Sequence, residues 1–261
     1  MVGRNSSSPC LRDKLFTKAM NTEDTLFADP LGRIKDFSFD KKVAAVFPDM
    51  IERSVPGYRT IIHMTGTLAA QFVQDDSHCY DLGCSLGAAM VAMHHNLKGR
   101  ACHIIGVDSS KAMLEKCRPH LQLCAEKPDW DLICANILDV EISNASVVVL
   151  NYTLQFIAPA LRNRVLEKIY AGMRPGGILV LSEKVAFDDA RMHKMYIELH
   201  HRFKKANGYS DLEISQKRTA LENVLLPETI PAHTERLRKA GFESCEVWFQ
   251  CFNFISILAI K

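Results

Sequence analysis

The run Asp81-Leu-Gly-Cys-Ser-Leu-Gly87 concentrates residues that let a ligand approach the backbone closely. Its glycines accept tight-turn conformations, and the helix that follows would present free N–H groups at its start. The string also contains the Gly-x-Ser-x-Gly spacing of a hydrolase nucleophile elbow, with Ser85 as nucleophile. No oxyanion-loop motif and no suitable Asp and His order accompany it, so the ligand-binding reading of Gly83, Cys84 and Ser85 is preferred. Asp108, 25 residues after Gly83, ends the next apolar run, where a carboxylate can accept both hydroxyls of a ribose. Asp108 could also cap a following helix, and so could Ser109. Asn136-Ile137 and Asn151 follow two further apolar runs. The first pair could bind and pack on a purine ring, and Asn151 would lie at the edge of the same crevice. Arg218, in Ser215-Gln-Lys-Arg218, is either a surface charge or a bidentate partner for a carboxylate.

The elements that must position these residues alternate. Strands are expected at His78–Leu82, Ala101–Val107, Trp130–Ala135, Ser146–Leu150 and Ile178–Ser182, the last preceded by a turn at Arg174-Pro-Gly-Gly177. Helices are expected at Ala88–Asn96, Lys111–Leu123 and Ala160–Met173 between them. This rhythm implies a parallel sheet covered on both faces, with polar groups gathered in the crevice at its carboxyl edge. Residues 24–75 read as a helical extension, broken at Pro48 and Pro56, with a helix over Tyr58–Val73. Residues 185–240 read as a helical insertion or lid, with helices at Asp188–Lys205, Leu212–Leu225 and Pro231–Ala240. The basic, aromatic stretch His200–Tyr209 reads mainly as a solvated helix face and turn. Ser244–Phe249 and Phe252–Ile260 form an antiparallel hairpin. Such a hairpin closing a parallel sheet is the class I methyltransferase variant of the Rossmann-like fold, with seven strands, and its nucleoside ligand is S-adenosylmethionine.

At 261 residues the chain suits one α/β domain over 24–261, preceded by a flexible N-terminus, residues 1–23. A net charge of +2 gives no electrostatic case for direct nucleic-acid binding. Nine cysteines without a Cys-x-x-Cys pair suit neither a disulfide framework nor a zinc site, and Cys79, Cys102 and Cys134 fall in apolar runs. Reduced thiols imply a cytoplasmic protein. His94-His95 and His200-His201 are adjacent pairs, so no metal is assigned. No stretch has the pattern of a secretory signal or the ~18 apolar residues of a membrane span.

The chain resembles the bacterial carboxy-S-adenosyl-L-methionine synthase family from about residue 24 to its end. Asp24-Thr-Leu-Phe27, Arg53-Ser-Val-Pro-Gly-Tyr58, Tyr80-Asp-Leu-Gly-Cys-Ser85, Leu150-Asn-Tyr-Thr-Leu-Gln-Phe156, Lys204-Lys-Ala-Asn-Gly-Tyr209 and Glu213-Ile-Ser-Gln-Lys-Arg218 carry the likeness. The resemblance implies synthesis of carboxy-S-adenosylmethionine from S-adenosylmethionine and prephenate, releasing phenylpyruvate and water. It implies a homodimer whose product passes to a tRNA carboxymethyltransferase, which makes uridine-5-oxyacetic acid at the wobble position. It also implies roles. Tyr58, Gly83, Cys84, Ser85, Asp108, Ser109, Asn136, Ile137 and Asn151 bind the cofactor. Arg218 binds the new carboxylate, and with Tyr58 it is the candidate catalytic group. Two positions depart from the family pattern: Asn136 stands where Asp is common, and Ser109 where Asn is common. The residues alone leave an ordinary S-adenosylmethionine-dependent methyltransferase, acting on RNA or a small molecule, as the alternative.

Overall fold

The computed structural model describes residues 22–97, 99–124 and 129–261. The expected flexible segment 1–23 therefore lies almost wholly outside the described residues, and so does Cys10. Strands β1 (Ser77–Leu82), β2 (Cys102–Asp108), β3 (Trp130–Cys134), β4 (Ala145–Asn151) and β5 (Met173–Ala186) run parallel. The two-residue β6 (Glu228–Thr229) pairs with the end of β5. The closing hairpin, β7 (Ser244–Cys251) and β8 (Phe254–Ile260), adds β8 antiparallel to β5, giving the order β3-β2-β1-β4-β5-β8-β7. The order reverses between β1 and β4, and a ligand crevice belongs at the carboxyl ends of those strands.

The central strands show why the sheet is covered on both faces. Val147 and Val149 of β4 join one apolar cluster and Val148 and Leu150 the other, all fully buried. Ile178 and Val180 of β5 divide from Leu179 and Leu181 in the same way. A parallel strand buried on both sides reads as an unbroken apolar run, which is what Val147–Leu150 is. Truncating Leu150 to Ala would cost about 2–5 kcal/mol, as for other fully buried leucines.

Helices α1 (Lys41–Ser54) and α2 (Tyr58–Phe72) precede the sheet. Helices α3 (Ala88–Asn96), α4 (Lys111–Cys124) and α5 (Pro159–Gly172) connect its strands. Helices α6 (Ala190–Ala206), α7 (Asp211–Leu221) and α8 (Ile230–Ala240) follow β5. Asp40 caps α1 by accepting from the Lys42 and Val43 amides. Ser210 and Glu213 form a complete capping box at the start of α7.

Several expectations need correction. Residues 22–40 contain no helix, so the extension is helical only from Lys41 onward. Pro48 lies inside α1 and does not end it. A mid-helix proline costs about 3 kcal/mol, which the burial of Val43, Val46 and Met50 offsets. Arg174–Gly177 is not a turn before the strand but an excursion within β5, where the β4 register jumps from Met173 to Ile178. Helix α7 stops at Leu221, short of Leu225. The segment 185–240 includes α8, which packs on α5 as a layer of the core, so only α6 and α7 stand apart as additions. Cys134 is exposed, because the outer edge of β3 is uncovered there.

Candidate functional site

A cavity of about 660 Å³ opens over the carboxyl ends of β1, β2 and β4, and all ten residues singled out in the sequence line it. Its floor is the turn after β1. Gly83 adopts φ +84°, and its amide and that of Cys84 donate to Val107 O at 2.7 and 3.0 Å. A Cβ at Gly83 would fall 2.2 Å from Thr153 Oγ1, so no other residue fits without moving the turn. Ser85 is also left-handed, and its N–H donates to Asp108 Oδ2 at 2.9 Å. Gly87, at φ +83°, starts α3 without a side-chain cap. The first amides of that helix, at Ala88 and Ala89 on the cavity wall, suit an anionic group.

Two carboxylates stand beside this turn. Asp108 accepts from Ser85 N–H and, through Oδ1, from Ser110 N–H at 2.8 Å. Burial raises its pKa, and the two backbone bonds partly oppose that rise. Asp81 is buried, and burial together with the Asp108 charge pushes it up to about 7. A cationic ligand group would relieve both. Asp81 was visible in the motif but had been given no role.

Ser109 is exposed at the rim, and the helix cap considered for it belongs to Ser110. Ser110 Oγ accepts from Met113 N–H at 3.2 Å and donates to Phe39 O at 2.5 Å, tying the N-terminal extension to the rim. Asn136 is exposed, with Oδ1 accepting from Leu138 N–H at 2.9 Å, while Ile137 is buried behind it. At the end of β4, Asn151 Oδ1 accepts from Ser182 Oγ at 2.7 Å, and its buried Nδ2 has no protein partner. Tyr58, at the start of α2, is kept protonated: burial raises its pKa, with the Asp81 and Glu52 charges adding to it. Its phenol is therefore a hydrogen-bond donor.

The opposite wall is cationic. Arg218 projects from α7 into the cavity, and among the described residues no carboxylate lies within ion-pair distance of it. Its helix is fastened by the preceding two residues. Gln216 accepts from Leu31 N–H at 2.7 Å and donates to Phe27 O and Asp29 O at 3.0 and 2.8 Å. Lys217 turns away from Arg218 to meet Asp24 at 3.4 Å and Ser54 Oγ at 3.0 Å, and Tyr209 donates to the same Asp24 carboxylate at 2.5 Å. The segments around Asp24, Tyr58, Tyr209 and Arg218, distant in sequence, thus form one structure.

The solvated-face reading of His200–Tyr209 holds for Arg202, Lys205 and the turn at Asn207 and Gly208, which are exposed, but not for the inward side of the helix. His200 and Lys204 are buried, and both line the cavity with Ile197 and His201. His200 Nε2 pairs with Ser54 O at 2.8 Å, and burial beside Lys184 and Lys204 pushes its pKa down to about 2. Although adjacent, His200 and His201 both reach the same cavity. Lys184, Lys204 and His200 are the functional candidates that the sequence reading missed. For the two on α6 the signal was the spacing 197, 200, 201, 204, the inward stripe of a helix, where three of the four residues are basic. Among the described residues no group of three or more His, Cys, Asp or Glu side chains could hold a metal ion, and no helix is long and apolar enough to cross a membrane.

The strand order, the glycine turn and the acid that ends β2 define a class I, S-adenosylmethionine-dependent methyltransferase fold. Residues 80–177 match a family model described as a methyltransferase domain. Solved structures agree on the fold at low identity. An O-methyltransferase family protein from Burkholderia thailandensis superposes with a TM-score of 0.61 at 15% identity, over 85% of this chain and 60% of that one. Human N-acetylserotonin methyltransferase, in complex with S-adenosylmethionine, gives 0.59 at 17% identity over 95% and 65%. Full-length relatives are more specific. A carboxy-S-adenosyl-L-methionine synthase from Vibrio cholerae is 58% identical over 93% of this chain and 99% of its own. One from Yersinia pestis is 56% identical over 91% and 89%. This chain belongs to the carboxy-S-adenosyl-L-methionine synthase family.

Proposed function

We propose that this protein acts in the cytoplasm to convert S-adenosylmethionine and prephenate to carboxy-S-adenosylmethionine, phenylpyruvate and water. The observation that carries the reading is a single cavity that joins a nucleoside floor to an uncompensated cationic wall. A plain methyl donor carries no carboxylate for Arg218 to meet, whereas the carboxylated product does.

In the reaction a proton leaves the sulfonium methyl, and its carbon bonds to the carbon dioxide that prephenate loses. The ring hydroxyl departs with a proton as water, and the ring becomes aromatic. The substrate supplies the driving force, so the protein must hold both partners, exclude water and balance charge. Asp108 would take the ribose hydroxyls and Asn136 with Ile137 the adenine, with Ser109 at the rim. The turn at Gly83, Cys84 and Ser85 would carry the methionine part, its ammonium facing Asp81. Asn151 Nδ2 and the Tyr58 hydroxyl would face the sulfonium region. Arg218 would receive the new carboxylate in a charge-assisted pair. The protein would work as a homodimer and pass its product to a tRNA carboxymethyltransferase, without contacting tRNA itself.

The test is direct. Purified protein is supplied with S-adenosylmethionine and prephenate, then denatured, and the nucleoside is identified by mass. A nucleoside heavier by one carbon dioxide is expected, together with stoichiometric phenylpyruvate. Recovery of unmodified S-adenosylmethionine alone would count decisively against the synthase reading and favour an ordinary methyltransferase.

A further inference from the structure

The cavity holds more positive charge than the nucleoside can use. Lys217 is balanced by Asp24. Lys184, on β5, and Lys204, on α6, are not: among the described residues neither ammonium meets a hydrogen-bond acceptor or a carboxylate within ion-pair distance. Lys204 is 93% buried by its 7% exposure, so solvent does little to stabilise its charge. The acids that line the same cavity are committed or remote. Glu52 is paired with Arg59 at 2.8 Å, Asp108 is held by two backbone amides, Asp81 sits under the turn, and Glu222 is exposed. Glu183, the neighbour of Lys184, points to the other face of β5, where it accepts from Leu154 N–H at 3.0 Å. Crowding a buried and a half-buried lysine beside Arg218 without an anion is unfavourable, and it persists in structures where a ligand completes the charge balance.

We propose that Lys184 and Lys204 form a carboxylate clamp for the 2-oxo acid arm of the second substrate, distinct from the Arg218 position that receives the new carboxylate. The inference rests on the proposed synthase activity and assigns the part of the substrate that the nucleoside floor cannot hold. The choice of arm follows from the reaction. The ring carboxylate is lost as carbon dioxide, and binding its charge tightly would stabilise the ground state more than the transition state. The 2-oxo acid carboxylate is retained, so a clamp on it anchors the substrate throughout. Phenylpyruvate keeps that arm and must bind the same two lysines.

The full-length protein, saturated with S-adenosylmethionine, is titrated with phenylpyruvate by calorimetry, and KM for prephenate is measured in parallel. Lys184→Met and Lys204→Met keep the length of the side chain and remove its charge. Each is expected to raise KM for prephenate and Kd for phenylpyruvate by roughly 10-fold or more, the scale of one charged hydrogen bond. S-adenosylmethionine affinity, which reports that the variant is folded, should stay within about two-fold, and Lys204→Arg should recover part of the loss. Unchanged phenylpyruvate affinity in both Met variants overturns the clamp, and so does a wild-type protein that binds no phenylpyruvate. If wild-type protein turns over no prephenate, the synthase reading fails, while the phenylpyruvate titration still decides the clamp.

Discussion

The floor of the cavity under Gly83–Gly87 is made from backbone amides and two carboxylates, while the wall facing it is made from lysine, arginine and histidine side chains. The floor is local. Seven consecutive residues and the ends of the next strands build it, and its shape follows from left-handed backbone at Gly83, Ser85 and Gly87. The wall is assembled from β5, α6 and α7, and it depends on the N-terminal segment around Asp24 and Gln216's grip on residues 27–31. A backbone-built floor tolerates little change in shape but serves any ligand with the right nucleoside. A side-chain wall can change its charge without changing the fold, and there a methyltransferase scaffold can acquire a different chemistry.

The largest effect should come from altering the floor. Gly83→Ala places a Cβ against Thr153 in a backbone region that costs an L-residue about 1–2 kcal/mol, and the clash must also displace the turn. S-adenosylmethionine affinity is expected to fall by roughly 100-fold by calorimetry, with a small drop in Tm. If that affinity changed less than in the wall variants, the division into rigid floor and adaptable wall would be wrong.

Next in size is Arg218→Ala. Affinity for carboxy-S-adenosylmethionine should drop roughly 10- to 100-fold, the scale of a charge-assisted pair, while S-adenosylmethionine affinity stays unchanged. Competition between the two ligands in the variant measures this. Equal losses for both would move Arg218 from the wall to the floor.

The two regions also differ in how far they could be read from sequence. The turn was legible because its glycine spacing, strand and helix are contiguous, and Asp108 and Asn151 sit at strand ends that apolar runs reveal. Lys184, His200 and Lys204 were not, because burial of a charged residue contradicts its ordinary preference for solvent. The spacing 197, 200, 201, 204 marks a stripe on α6, but which way that stripe faces depends on α6 lying across the cavity. That is a tertiary fact, as is the place of Lys184 on β5 beside it. Pro48 illustrates the same limit from the apolar side, since packing of Val46 and Met50 overrides a strong local signal. Arg218 was a candidate from the residues alone, but only the resemblance to a family chose between a surface charge and a carboxylate partner. Its setting depends on Asp24 meeting Lys217 across 193 positions of sequence.

Charge on the wall should make it respond to pH in the opposite sense to the floor, where Asp81 loses its proton near 7 and holds a cation better as pH rises. Burial, with repulsion from Arg218, brings Lys184 down to about 8, and burial, with repulsion from Lys184, Lys217 and Arg218, brings Lys204 down to about 7. The groups facing them are Lys217 and Arg218 from α7 and His200 and His201 from α6, whose imidazoles are held below their ordinary values. An anion raises the lysine pKa values, so binding takes up protons between pH 7 and 9, and affinity falls as pH rises through that window. For the free protein the sign is opposite. The folded state binds fewer protons than the unfolded chain between about 7 and 10.5, so this contribution to stability grows with pH there. Phenylpyruvate affinity is expected to weaken by roughly 10-fold per unit of pH where one lysine titrates, and Lys204→Met should flatten the profile. A flat wild-type profile would break the contrast with the floor.

The smallest expected effect sharpens the floor at one of its departures from the family pattern. Asn136 offers one oxygen, already engaged by the Leu138 amide at 2.9 Å, and its other terminal group is a donor. The exocyclic amine of adenine is also a donor, so it must share that oxygen. An Asp would keep the bond to Leu138 with one oxygen and accept the amine with the other. Asn136→Asp is therefore expected to tighten S-adenosylmethionine binding by about 1 kcal/mol, roughly five-fold, because this exposed position screens the added charge. The gain should vanish for a ligand whose base lacks the exocyclic amine, such as the inosine analogue of S-adenosylmethionine. A gain that persisted for that analogue would mean that the added charge acts through the Leu138 turn and not through the base.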